Sequence, residues 1–179
     1  GGPQHFLLNN LLHFPSARSP HAGYGSAIHL ALQQAHEHLR AYDKPMAEED
    51  ILRAFEQALR HESLTADEFE DFSKKGIAAL QLFLQEKYHS FHANQHPELS
   101  FSHQQARLGD AHLTGKLDLA DIDPEAKTIT VTDYKTGAPV ADWNKGADYQ
   151  KIKAHKYRQQ LLFYKLLVEE SRDFRNYTF

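Results

Sequence analysis

Gly115-Lys116-Leu117-Asp118 and Thr132-Asp133-Tyr134-Lys135-Thr136-Gly137 are separated by a tight-turn signal, Asp123-Pro124-Glu125-Ala126-Lys127. Residues 112–122 alternate in polarity and residues 128–134 are β-branched and aromatic, so both flanks of the turn are expected to be strands. Folding the pair about Pro124 to Lys127, with Asp123 facing Thr128, sets Ile122 against Ile129 and Ala120 against Val131. It also sets Asp118 against Asp133, and Lys116 against Lys135. One face of the ribbon is then apolar near the turn and ends in two opposed aspartates. Directly opposed residues have Cβ atoms roughly 5 Å apart, and like charges there are destabilising. A divalent cation between them reverses that sign, because hard cations take carboxylate oxygens.

Side chains two apart on a strand share a face, so Lys135 points the same way as Asp133. Thr136-Gly137-Ala138-Pro139 then ends the strand. Two acids and a base therefore gather at one strand end. An isolated Asp-x-Lys is usually a surface feature, but here Asp133 continues the apolar Ile129/Val131 face.

Gly-x-Leu-Asp at 115–118 followed by Asp-Tyr-Lys-Thr-Gly at 133–137 resembles the PD-(D/E)XK nucleases, most nearly the RecB type found in helicase–nucleases. Tyr24-Gly25-Ser26-Ala27-Ile28-His29 is similar to the family's Gly-x-x-x-His segment. Tyr157-Arg158-Gln159-Gln160-Leu161-Leu162-Phe163-Tyr164 is similar to its Tyr-x-x-Gln-x-x-x-Tyr helix. The resemblance runs over residues 6–179. Each motif alone is weak, and their order and spacing are specific.

The resemblance implies that Asp118, Asp133, the Tyr134 backbone carbonyl and His29 hold Mg2+ or Mn2+. It implies that Lys135 acts on the attacking water or the phosphate, supported by Gln160 and Tyr164. His29 lies on a packed helix among Ala27, Ile28, Ala31 and Leu32, where a satisfied core histidine is the other reading. The small residues before it would let the helix approach the hairpin closely. Glu98 is a possible further acid and equally a solvated strand-edge carboxylate. The other histidine groups, including His36 with His38 and His89 with His92 and His96, are not persuasive metal sites.

Residues 148–171 read as a helix. At 100° per residue, Lys153, Tyr157, Gln160, Tyr164 and Leu167 share one inward face, and Arg158, Lys165 and Glu169 lie opposite. Ile152, Leu161, Phe163, Leu166 and Val168 flank the inward face and are expected to wrap it. Gln160 then sits between two tyrosines, where a buried amide without partners costs on the order of 1–3 kcal/mol. It either bonds the sheet backbone or orients Lys135 or a phosphate, with Tyr157 as a possible additional support.

Helices are also expected at 4–13, 24–42 and 48–60, and from Thr65 to about 88 with Thr65-x-x-Glu68 as a capping box. A strand is expected at 98–107. The order of elements resembles an α/β restriction-endonuclease-like core, a mixed β-sheet flanked by helices, with a helix-rich N-terminal half. The chain of 179 residues is expected to be a single domain, with a helical part at about 3–92 and a catalytic core at about 24–40 plus 98–179. Gly1-Gly2 reads as a cloning remnant and residues 175–179 as a strand cut short, so an excised domain is expected.

The net charge of −4 argues against a protein that coats nucleic acid non-specifically. Yet residues 144–165 carry Lys145, Lys151, Lys153, Lys156, Arg158 and Lys165 against Asp148 alone, and with Lys116 these lysines could meet phosphates. DNA, single- or double-stranded, is the expected partner, with a helicase domain in the same or another chain. No apolar run reaches the roughly 18 residues of a membrane helix, and no membrane partner is expected. The chain has no cysteine, which excludes a cysteine-ligated iron–sulfur cluster and fits a reducing cytoplasm. The expected activity is metal-dependent DNA hydrolysis. The alternative is a catalytically inactive DNA-binding or scaffold module on the same fold.

Overall fold

The computed structural model describes residues 19–137 and 148–179. The helix expected at 4–13 and the lysine at 145 lie outside them.

Helix α1 (Pro20–Tyr42) starts four residues before its expected position, because Ser19 caps it and Pro20 occupies its first turn. Helix α2 is Glu48–Arg60, with three acids in its first turn. Helix α3 is Ala66–Lys87, and the Thr65/Glu68 capping box is formed in both directions. The three helices enclose a core of Ala27, Ala31, Leu32, Ile51, Phe55, Leu59 and Leu80, among others.

Strand β1 is Gln95–Ser100, earlier and shorter than the expected 98–107. The expected strand at 112–122 is also divided. A small ribbon of β2 (Arg107–Leu108) and β3 (Ala111–His112) precedes β4 (Lys116–Asp123). Gly109, at a φ of 59°, and Asp110 make a tight turn that reverses the chain where an extended run was expected. Strand β5 is Thr128–Thr132, ending just before Asp133. Helix α4 is Asp148–Glu169.

The main sheet has the order β1-β4-β5, antiparallel throughout. The hairpin register is the expected one near the turn, with Asp123 paired to Thr128, Ile122 to Ile129 and Ala120 to Val131, but the ladder ends before the expected pairs Asp118–Asp133 and Lys116–Lys135. Asp123 Oδ1 stabilises the turn by accepting from the amides of Glu125 and Ala126. The expected final strand amounts to one isolated parallel bridge between Thr178 and Thr128, so among the described residues the sheet is antiparallel where a mixed one was expected. A second core joins sheet and α4 through Phe101, Leu117, Ala120, Ile129, Tyr164, Leu167 and Val168. The expected wrapping of α4 is incomplete. Ile152, Leu161 and Phe163 are exposed, because only the stripe through Ala154, Tyr164, Leu167 and Val168 is covered. The architecture is that of a restriction-endonuclease-like α/β fold.

Candidate metal and catalytic centre

The sheet register places three acids in a row. The pairs Pro97–Leu119 and Leu99–Leu117 set Glu98 opposite Asp118. On the other side, the ladder ends at Leu119–Thr132, one step short of Asp118 and Asp133. There the pairing stops, and Asp118 Oδ2 takes over by accepting the Tyr134 amide at 2.9 Å. Glu98 has a φ of 49°, an uncommon left-handed conformation inside a strand, at the point where its carboxylate joins the site.

Helix α1 brings His29 to this row. The close approach has a clear local cause, since a Cβ on Gly25 would stand 3.1 Å from Thr136 Oγ1. His29 Nε2 lies 2.9 Å from the Tyr134 carbonyl, and Nδ1 lies 3.5 Å from Asp118 Oδ2. A carbonyl can only accept, so Nε2 carries the proton and donates. In the neutral ring, the Nδ1 lone pair is then turned toward the Asp118 carboxylate. Two lone-pair donors facing each other form a cation site, and a carbonyl behind the other ring nitrogen is the usual support of a metal-ligating histidine.

His29, Glu98 and Asp118 each offer a ligand atom, all within 4.8 Å of one another, the one such group among the described residues. This imidazole and carboxylate set fits a divalent cation. Asp118 is held above the ordinary carboxylate range, first by burial and also by Asp133 and Glu98, against the opposing pull of His29 and the Tyr134 amide. A cation would relieve that charge.

Asp133 sits beside this cluster in a different network. Its Oδ1 accepts from Gln160 Nε2 at 2.9 Å and from the Tyr164 hydroxyl at 3.0 Å, while Oδ2 is ion-paired with Lys135. Lys135 Nζ also donates to Gln160 Oε1 at 2.8 Å. Burial and the Asp133 charge push the Tyr164 hydroxyl up, keeping it a proton donor. Gln160 is thus bonded to side chains, not to the sheet backbone. Tyr157 lies under both Lys135 and Lys153, whose ammonium groups stand 5.0 and 5.7 Å from its ring centre.

The proposed phosphate-binding lysines are dispersed. Lys116 pairs with Glu98 at 3.4 Å, and Lys151 stands 3.7 Å from Asp148. Lys156 is exposed on α4. A cavity of about 350 Å³ opens beside the site, lined by Tyr24, Phe83, Asp133, Tyr134, Lys135 and Thr136 among others. One contact had no signal in the sequence. Buried His36 meets the Tyr134 hydroxyl at 3.2 Å, across 98 residues of chain.

The family model of the PD-(D/E)XK nuclease superfamily matches residues 2–177, and the chain belongs to that superfamily. No curated protein and no solved structure matches it. Members of this superfamily are typically metal-dependent nucleases.

Proposed function

We propose that this chain is a RecB-type, Mg2+- or Mn2+-dependent deoxyribonuclease that hydrolyses phosphodiester bonds. We place it as the nuclease part of a helicase–nuclease working in DNA repair or recombination, within the cytoplasm. The observation that carries the reading is the convergence of His29, Glu98 and Asp118 beside a lysine held by Asp133 and Gln160.

A bound divalent cation supplies Lewis-acid polarisation of the scissile phosphoryl group and makes water a stronger nucleophile at neutral pH. His29, Glu98 and Asp118 would hold it. The Tyr134 carbonyl accepts from His29 Nε2, across the ring from a cation at Nδ1, so it orients His29 and is not itself the expected ligand. Asp133, beside the group of His29, Glu98 and Asp118 and paired with Lys135, would be a further ligand. Lys135 offsets charge developing on the phosphate, and Gln160 fixes where its ammonium points. Lys116, Lys151, Lys153 and Lys156, with Lys145, meet the DNA backbone electrostatically.

Labelled single- and double-stranded DNA incubated with Mg2+, Mn2+ or chelator tests the reading, with wild type beside Asp133→Ala. Metal-dependent cleavage by the wild type alone is expected. Metal-independent cleavage, or equal cleavage by both proteins, would overturn it. DNA binding without cleavage by the wild type would instead establish a scaffold module.

A further inference from the structure

The same helix that carries His29 carries His36, two turns further on at about 3.6 residues per turn. Both histidines reach Tyr134. His29 takes its carbonyl at 2.9 Å and His36 takes its hydroxyl at 3.2 Å, so α1 grips one tyrosine at both ends. The tyrosine backbone is fixed a third time by its amide on Asp118. Tyr134 itself packs into the helical core, edge-on to Phe83 with ring centres 5.8 Å apart.

His36 is only 1% exposed and stacks on Phe91 with ring centres 3.8 Å apart. Its Nδ1 is buried without a hydrogen-bond partner among the described residues. Either tautomer leaves a polar group unmatched. If the tyrosine donates to Nε2, the Nδ1 proton is stranded. If Nε2 donates, the Nδ1 lone pair is left. A buried unmatched group is destabilising, whereas two apolar groups of the same shape are nearly neutral. The pair is therefore a poor device for stability and a good one for aiming a backbone.

We propose that His36 is a positioning residue for the metal centre. By holding the Tyr134 hydroxyl, it fixes the Tyr134 carbonyl that orients His29 toward the cation, and so sets the metal affinity of the site. This rests on the metal reading given above.

The test measures Mg2+ affinity by calorimetric titration for wild type, Tyr134→Phe, His36→Leu, His36→Gln and the double variant Tyr134→Phe/His36→Leu. Metal-free Tm and single-turnover cleavage are measured beside it. Tyr134→Phe and His36→Leu are each expected to weaken metal binding roughly tenfold, as loss of an outer support does. The double variant should be no weaker than either single, because both remove one interaction. It should keep a metal-free Tm at or above that of the less stable single variant, and KM for DNA should stay unchanged. His36→Gln, which keeps a hydrogen-bonding group, should bind metal more tightly than His36→Leu. Wild-type metal affinity in Tyr134→Phe and in a folded double variant overturns the proposal alone. Absence of any metal binding by the wild type overturns the metal reading and this proposal with it.

Discussion

Gln160 donates its amide to Asp133 at 2.9 Å while its carbonyl accepts from Lys135 at 2.8 Å, so one side chain holds the acid and the base of the Asp-Tyr-Lys motif in fixed relation. Gln160→Leu removes both bonds, with the one to the Tyr164 hydroxyl, and leaves Lys135 held by Asp133 and the Tyr157 ring. Single-turnover cleavage is expected to fall about tenfold to a hundredfold, the usual effect of losing an orienting partner. DNA affinity should stay close to wild type. Undiminished cleavage would show that Gln160 only fills space.

Asp118 is an acid whose charge the metal-free fold resists. Burial and the neighbouring acids Asp133 and Glu98 hold its carboxyl above the unfolded value, so ionising it near neutral pH weakens the folded state. Asp118→Asn keeps an oxygen for the Tyr134 amide and removes the charge. The variant should melt higher than wild type without metal and lose the rise in Tm that metal gives to the wild type. A lower metal-free Tm, or an unchanged metal response, would contradict this account of the site.

His36 gives the stability curve an acid limb. Burial, together with the His92 charge and against the weaker pull of Asp121, holds its pKa near 4, whereas the unfolded chain titrates it near 6.5. Between those values the unfolded state binds more protons, so stability falls as pH drops through that window. A gap of that size corresponds to on the order of 3 kcal/mol. Melting curves from pH 7 to 4 should be flatter for His36→Leu than for wild type. Parallel curves would mean that His36 is charged or accessible in the folded protein.

Gly76 is a packing requirement. A Cβ there would stand 2.0 Å from Cζ of Phe55, which is fully buried. Overpacking of this kind costs about 1–3 kcal/mol or more, against a gain of about 1 kcal/mol in helix propensity. Gly76→Ala should lower Tm by several degrees. An unchanged or higher Tm would show that the Phe55 ring moves aside freely.

The hairpin register was legible because its side-chain period is two and its turn is marked at both ends, so a slip by one would turn every apolar residue outward. The helix at 48–60 and the capping box at Thr65 were legible for equally local reasons. The β2–β3 reversal turns on Gly109-Asp110, a short signal inside a run that alternates on either side. The period of α4 orders its faces but does not say how wide a strip the sheet covers, so Ile152 and Phe163 are exposed on the flanks of the inward face. Within the site, Glu98 depends on a left-handed backbone that an ordinary strand residue does not announce. The His36–Tyr134 contact spans 98 residues and leaves no periodic trace.

Lys135 offers the most direct measurement. It is part-exposed at the site, held by Asp133 and Gln160. Single-turnover cleavage and equilibrium binding of the same labelled DNA are compared for wild type and Lys135→Ala, with metal saturating and contaminating nucleases removed. DNA and metal affinity should stay within roughly tenfold, a loss under about 1.4 kcal/mol. Cleavage should fall by on the order of 10² or more, as when an electrostatic stabiliser of the transition state is lost. Lys135→Arg should restore little, because a guanidinium is planar, bulkier and does not deprotonate. Cleavage by Lys135→Ala near the wild-type rate would contradict the account, even with the fold and the metal site in place.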